Sequence, residues 1–168
     1  MFVLDNIKQD FFMYKYFLSI FSIVLFHSSI HASLTPKDHV TGGYDVHAYF
    51  NMEDQEHAYQ VYEDFLAFLN EKQIAIASSG FYLKIFERSP HPKPMWEVDF
   101  KQQDHLFEKM GLAITWLMLN RERLSVLVHP NTDKRTRESK IRDHTIYTLW
   151  MGPSVDLNVD PEIFHDEQ

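Results

Sequence analysis

Four histidines stand where this chain changes direction or alternates in polarity: His47 in "YDVHAYF", His91 in "SPHPKPMWEV", His129 in "LVHP" and His144 in "RDHT". The chain holds ten histidines and no cysteine. A metal centre here would therefore be built from imidazole and carboxylate, a donor set that suits iron, zinc or manganese. Two histidines and one carboxylate with open positions form the non-haem Fe(II) arrangement, and three histidines with one open position equally suit catalytic zinc. The missing cysteine also excludes disulfides, thiolate nucleophiles and iron–sulfur clusters.

His91 is the most constrained of the four. Pro90 and Pro92 flank it and Pro94 follows. Proline fixes φ near −65° and drives the preceding residue into extended backbone, so the imidazole is held on a stiff segment just ahead of a strand. His57 and His105 fall among polar neighbours on helical stretches and read as solvated, while His27, His31, His39 and His165 belong to the ends of the chain.

The elements that must position these residues follow from periodicity. Residues 43–50 alternate, with Tyr44, Val46, Ala48 and Phe50 on one face and Asp45, His47 and Tyr49 on the other, which predicts a half-buried strand. Residues 52–73 place Tyr59, Tyr62, Phe65, Leu66 and Leu69 at helical spacing behind an acidic first turn. Strands are expected at 81–88, 95–100, 123–129 and 146–152, and a second helix at 104–119. The charged stretch 133–143 reads as a solvated loop and the tail from Pro153 as irregular.

This order predicts an α+β fold: a ferredoxin-like βαββαβ antiparallel sheet with two helices on one face and an added strand. Parity then assigns the faces. Val46, Trp96, Val98, Phe100, Leu124, Val126 and Val128 would meet the helices, leaving His47, Glu97, Asp99 and His129 on the open face. Tyr49, Tyr82, Phe86 and Met95 would add apolar surface there, which predicts a two-fold homodimer covering part of it.

A net charge of −8 argues against a nucleic-acid partner. At the N-terminus, Lys15 precedes an apolar run from Tyr16 to Phe26 and small or polar residues up to Ala32, the layout of a secretory signal. That run is shorter than the roughly 20 residues a bilayer span needs, so export without a stable membrane span is expected. Residues 1–38 are read as leader and linker, 39–153 as the folded domain and 154–168 as a C-terminal tail.

In order and spacing, "YDVHAYF", "PHPKPMWEVDF", "WLMLNRERLSVLVHPNT" and "RDHTIYTLWMG" resemble the DOPA 4,5-dioxygenase family of fungi and bacteria, from about Tyr44 to Gly152. The resemblance implies a dimeric ferredoxin-like domain that opens a catechol ring beside a hydroxyl (extradiol cleavage), using a non-haem metal and O₂. By motif, the metal ligands would be His47, His91 and His129, with Glu97 as an alternative carboxylate ligand. Fe(II) is the expected metal, with Zn or Mn as alternatives. His144, beside Asp143, would be the acid/base, and Tyr147 would donate a hydrogen bond to oxygen or substrate. The chain departs from the family pattern at Asp45 and Tyr147, where histidine is frequent, and at Ser89, where glycine is usual. Two other readings fit the residues: a non-catalytic dimeric protein binding a small aromatic ligand, and a zinc enzyme on the same scaffold.

Overall fold

The computed structural model describes residues 40–85, 89–132 and 136–164, all within the compact unit His39–Gln168. The expected leader, including the run Tyr16–Phe26, lies outside the described residues, as does Phe86. Strand β1 (Tyr44–Tyr49) leads through a 3₁₀ turn at Met52–Asp54 into helix α1 (Gln55–Glu71). Then follow β2 (Ile76–Tyr82), β3 (Met95–Phe100), α2 (Leu106–Asn120), β4 (Ser125–Pro130), α3 (Arg137–Thr145) and β5 (Leu149–Met151). The sheet order is β2-β3-β1-β4-β5 and every neighbouring pair is antiparallel. That is the expected ferredoxin-like order, with β5 added outside β4.

Val46, Ala48, Trp96, Val98, Phe100, Leu124, Val126 and Val128 pack with Phe65, Leu69, Met110 and Leu117 of the two long helices, in one core. Trp96 is fully buried, its ring 5.7 Å from that of Phe65 and 5.8 Å from that of Tyr62. The faces are therefore those predicted by parity, because a strand turns every second side chain to the same side. Gly43 enters β1 with φ at +89°, and a Cβ there would run into the Phe100 carbonyl oxygen. Only glycine combines that backbone with so close an approach.

Two expected elements differ. The second strand covers Ile76–Tyr82, not 81–88, and carries an irregularity between Ile76 and Ser78. It is an edge strand whose stretch "IASSG" has little apolar alternation to read, so tertiary pairing with β3 decides its limits. The supposed loop at 133–143 overlaps α3, so the described residues hold three α-helices where two were expected. Thr136 caps that helix, its side-chain oxygen accepting from the Ser139 N–H. Of α3, only Ser139 and Asp143 are buried, so no apolar period announced it.

The tail is irregular but packed. Val155 and Leu157 lie against the cluster Tyr49, Met95 and Leu127 on the open face. The Asn158 N–H donates to the Pro90 carbonyl at 2.9 Å.

Candidate metal centre

The sheet register sets the site. His47 of β1 sits opposite Glu97 of β3 and Leu127 of β4, while Asp45 sits opposite Asp99 and His129. His47 and His129 thus share the open face on adjacent strands, and their Nε2 atoms are 3.2 Å apart. Two chain excursions bring further imidazoles over them. The His91 ring is 4.2 Å from that of His47, and α3 delivers His144 with its ring 4.2 Å from His129 and 5.5 Å from His91. His47, His91 and His129 are buried at 4%, 8% and 1% exposure. The four residues singled out for chemistry converge in one cluster.

The partner of each Nδ1 shows which nitrogen faces inward. His129 Nδ1 lies 3.0 Å from the Pro130 carbonyl oxygen and His144 Nδ1 2.8 Å from that of Lys140. A carbonyl only accepts, so both Nδ1 atoms carry protons and both Nε2 atoms offer lone pairs when the rings are neutral. His47 Nδ1 faces the Glu97 carboxylate at 3.6 Å, and Tyr82 donates to the other Glu97 oxygen at 2.9 Å. Glu97, the expected alternative ligand, therefore stands behind His47 at the nitrogen remote from His129. The carboxylate grouped with His47 and His129 is Asp45, whose Oδ1 accepts from Asn131 Nδ2 at 2.7 Å.

These donors fit a metal ion. Imidazole nitrogens bind at about 2.0–2.1 Å, which separates two ligands on one ion by roughly 3.0 Å at a right angle and roughly 3.4 Å at a tetrahedral angle. The His47–His129 separation falls between the two. Among the described residues two donor triads close to within 4.8 Å: His47, His91 and His144; and Asp45, His47 and His129. Burial, with the neighbouring His144 adding to it, pushes His91 down to about 3, and burial followed by His129 pushes His144 down to about 3. Both imidazoles are neutral near pH 7, the state in which they can bind a metal or accept a proton.

Asp143, the neighbour of His144 in sequence, has a mooring task. Its two carboxylate oxygens accept from the Thr132 N–H at 3.0 Å and the Thr132 hydroxyl at 2.8 Å, which ties α3 to the chain leaving β4. Tyr147 lies in the turn after α3 and is 37% exposed. Two aromatic contacts to the histidines were not foreseen from sequence. Tyr49 is 2% exposed and its hydroxyl lies 2.7 Å from His91 Nδ1. Phe164, in the tail, sets its ring edge-on to His144 at 5.4 Å. Tyr49 shares the odd parity of His47 and was readable on that ground, whereas nothing local marked Phe164. Burial, with Glu97 nearby, raises Tyr49 far above the ordinary phenol range, so it remains a protonated phenol.

Comparison with known proteins decides the family. The profile of the Dopa 4,5-dioxygenase family matches residues 44–161, well over half of the chain. The chain belongs to the Dopa 4,5-dioxygenase family. It is 31% identical over 115 residues to the DOPA 4,5-dioxygenase of Amanita muscaria, covering 67% of this chain and 46% of that protein. It is also 33% identical over 127 residues to an uncharacterised 21.2 kDa protein of Botryotinia fuckeliana, covering 71% of this chain and 63% of the other. The matches thus span less than two thirds of either relative. A crystal structure of a Nostoc punctiforme protein, described as a candidate dioxygenase, superposes with a TM-score of 0.57 at 32% identity, covering 73% of this chain and 90% of that one. The Dopa 4,5-dioxygenase match reaches into the tail as far as residue 161, in keeping with the packing of Val155 and Leu157. A dioxygenase-like function is what the family and these neighbours support.

Proposed function

We propose that this member of the Dopa 4,5-dioxygenase family is a metal-dependent extradiol dioxygenase that cleaves the ring of a catechol such as DOPA. The observation that carries the reading is the buried pair of Nε2 atoms, His47 and His129, 3.2 Å apart beneath two further imidazoles. His47 and His129 would hold the metal with Asp45, two histidines and one carboxylate, which favours Fe(II) over zinc or manganese. When bound, a ferrous ion supplies a Lewis acid for the catechol oxygens and redox chemistry toward O₂.

The remaining roles belong to the chain. The Glu97 carboxylate faces His47 Nδ1 at 3.6 Å, which favours the tautomer with hydrogen on Nδ1 and leaves the Nε2 lone pair toward the cluster. His144 faces the cluster with a bare Nε2, placed to take a proton from a catechol hydroxyl. Tyr49, Met95 and Leu127, covered by Val155 and Leu157, keep the neighbouring face dry, which strengthens charge interactions inside the cluster.

The test is anaerobic loading of the purified chain with Fe(II), Zn or Mn, followed by addition of a catechol and O₂ near neutral pH. The expected result is one bound metal per chain and a yellow ring-fission product with iron. Metal bound without ring fission would support the zinc-enzyme or ligand-binding alternative. A chain that binds no metal would reject the reading.

A further inference from the structure

His91 differs from the other imidazoles of the cluster in what its Nδ1 meets. His129 and His144 are bonded to carbonyl oxygens, so the proton has to sit on Nδ1. His91 Nδ1 is bonded to a phenol, the Tyr49 hydroxyl, at 2.7 Å, and a phenol can donate or accept. Burial decides between the two. Tyr49 is 2% exposed, and among the described residues His91 Nδ1 is the hydrogen-bond partner of its hydroxyl. With the O–H donating to Nδ1, one bond satisfies both groups. With the bond reversed, a buried hydroxyl proton is left without an acceptor, and that carries the full desolvation penalty of the group.

We infer that Tyr49 donates to His91 Nδ1 and thereby holds the proton of His91 on Nε2, so that His91 serves the cluster as a hydrogen-bond donor and not as a metal ligand. A metal ligand needs a lone pair on the nitrogen facing the ion, and here the inward nitrogen carries hydrogen. The cluster then divides into ligands (His47, His129), an acceptor (His144) and a donor (His91). An Nε2–H at this point suits an anionic oxygen entering the site, such as a deprotonated catechol hydroxyl. The assignment replaces the ligand role that the family motif implied for His91.

The setting of the bond is rigid. Pro90 and Pro92 limit the backbone, the His91 N–H donates to Ser89 Oγ at 3.2 Å and the Pro90 carbonyl accepts from Asn158. The Tyr49 ring is stacked on Trp150 at 5.8 Å. Tyr49 is therefore a positioning residue that acts through His91. The functional role of the donor rests on the dioxygenase reading above, whereas the position of the proton does not.

Two measurements test the inference on the full chain. Long-range ¹⁵N–¹H correlation spectra of the metal-free protein near neutral pH report each imidazole tautomer, with His91 assigned by its loss in His91→Gln. The expected pattern is Nε2–H for His91 and Nδ1–H for His129 and His144. Tyr49→Phe, which keeps the buried ring, should change the His91 signals selectively. A His91 that carries its proton on Nδ1 overturns the inference. In zinc titrations, His91→Gln should stay within about three-fold of the unsubstituted chain while His129→Gln weakens binding ten-fold or more. Loss of zinc from a folded His91→Gln protein as severe as from His129→Gln overturns it too. If neither substitution alters zinc binding, the metal reading itself fails, and the tautomer spectrum alone then decides where the His91 proton lies.

Discussion

The carboxylate of Glu97 faces His47 Nδ1 at 3.6 Å and so bears on what that imidazole can do. A carboxylate behind a ligand histidine fixes its tautomer and angle, and losing such a partner commonly weakens metal binding 10–100-fold. Glu97→Gln is expected to lower metal affinity by about that factor without unfolding the domain, as read by chelator competition and circular dichroism. A pH dependence follows from His91 and His144, both held near 3 in the folded chain against 6.5 for an ordinary histidine. Between those limits the unfolded chain binds more protons than the folded one, so stability must fall as pH falls. The metal-free protein should be at full stability above about pH 6.5 and lose it progressively toward pH 3. Denaturant midpoints across that range would show it. A His91→Gln, His144→Gln double variant should show a flatter profile, and an unchanged slope would mean that other groups carry the dependence.

At the scale of elements, α3 is a short polar helix whose service is to deliver His144. It is moored by one buried carboxylate, Asp143 at 2% exposure, which takes both the N–H and the hydroxyl of Thr132. Removing that acceptor strands two donors, at about 1–3 kcal/mol each. Asp143→Ala should therefore destabilise the domain by roughly 2–6 kcal/mol and detach His144 from the cluster, visible as the loss of its imidazole signal from the buried set. Thr132→Val should reproduce part of the effect. Gly43 is the second point of leverage. Its φ of +89° and the Phe100 carbonyl in the path of a Cβ predict that Gly43→Ala unzips the start of β1, where Asp45 and His47 are carried.

For the molecule as a whole, the tail closes the site: Val155 and Leu157 cover Tyr49, Met95 and Leu127, and Phe164 meets His144. Truncation after Pro153 should lower the thermal midpoint and raise the binding of a hydrophobic dye, while the core between sheet and long helices persists. We also propose a two-fold homodimer, as the family resemblance implies. With the tail over part of the open face, further apolar surface for a partner lies on α2, where Phe107, Met118 and Leu119 are 73%, 65% and 77% exposed. Light scattering should give twice the chain mass at micromolar concentration, and a single chain mass would reject the dimer. Export remains a proposal resting on the layout from Lys15 to Ala32, checked by N-terminal sequencing of the protein from its native cells.

The sequence alone determined the sheet faces, because side-chain alternation is a local and strict period: Val46, Ala48, Trp96 and Val98 had to oppose His47, Glu97 and His129 once β1, β3 and β4 were strands. It also marked the four histidines, since their motifs are local. It did not find α3 or the true limits of β2, whose weak apolar periods are overridden by capping and by edge pairing. Only the tertiary structure decided which nitrogen of each histidine faces inward. That depends on Pro130, Lys140, Tyr49 and Glu97, and all but Pro130 are brought to their histidines by the fold of a helix, a loop or a neighbouring strand. Hydrogen-bond direction depends on what lies across the gap, and residue spacing along the chain does not encode that.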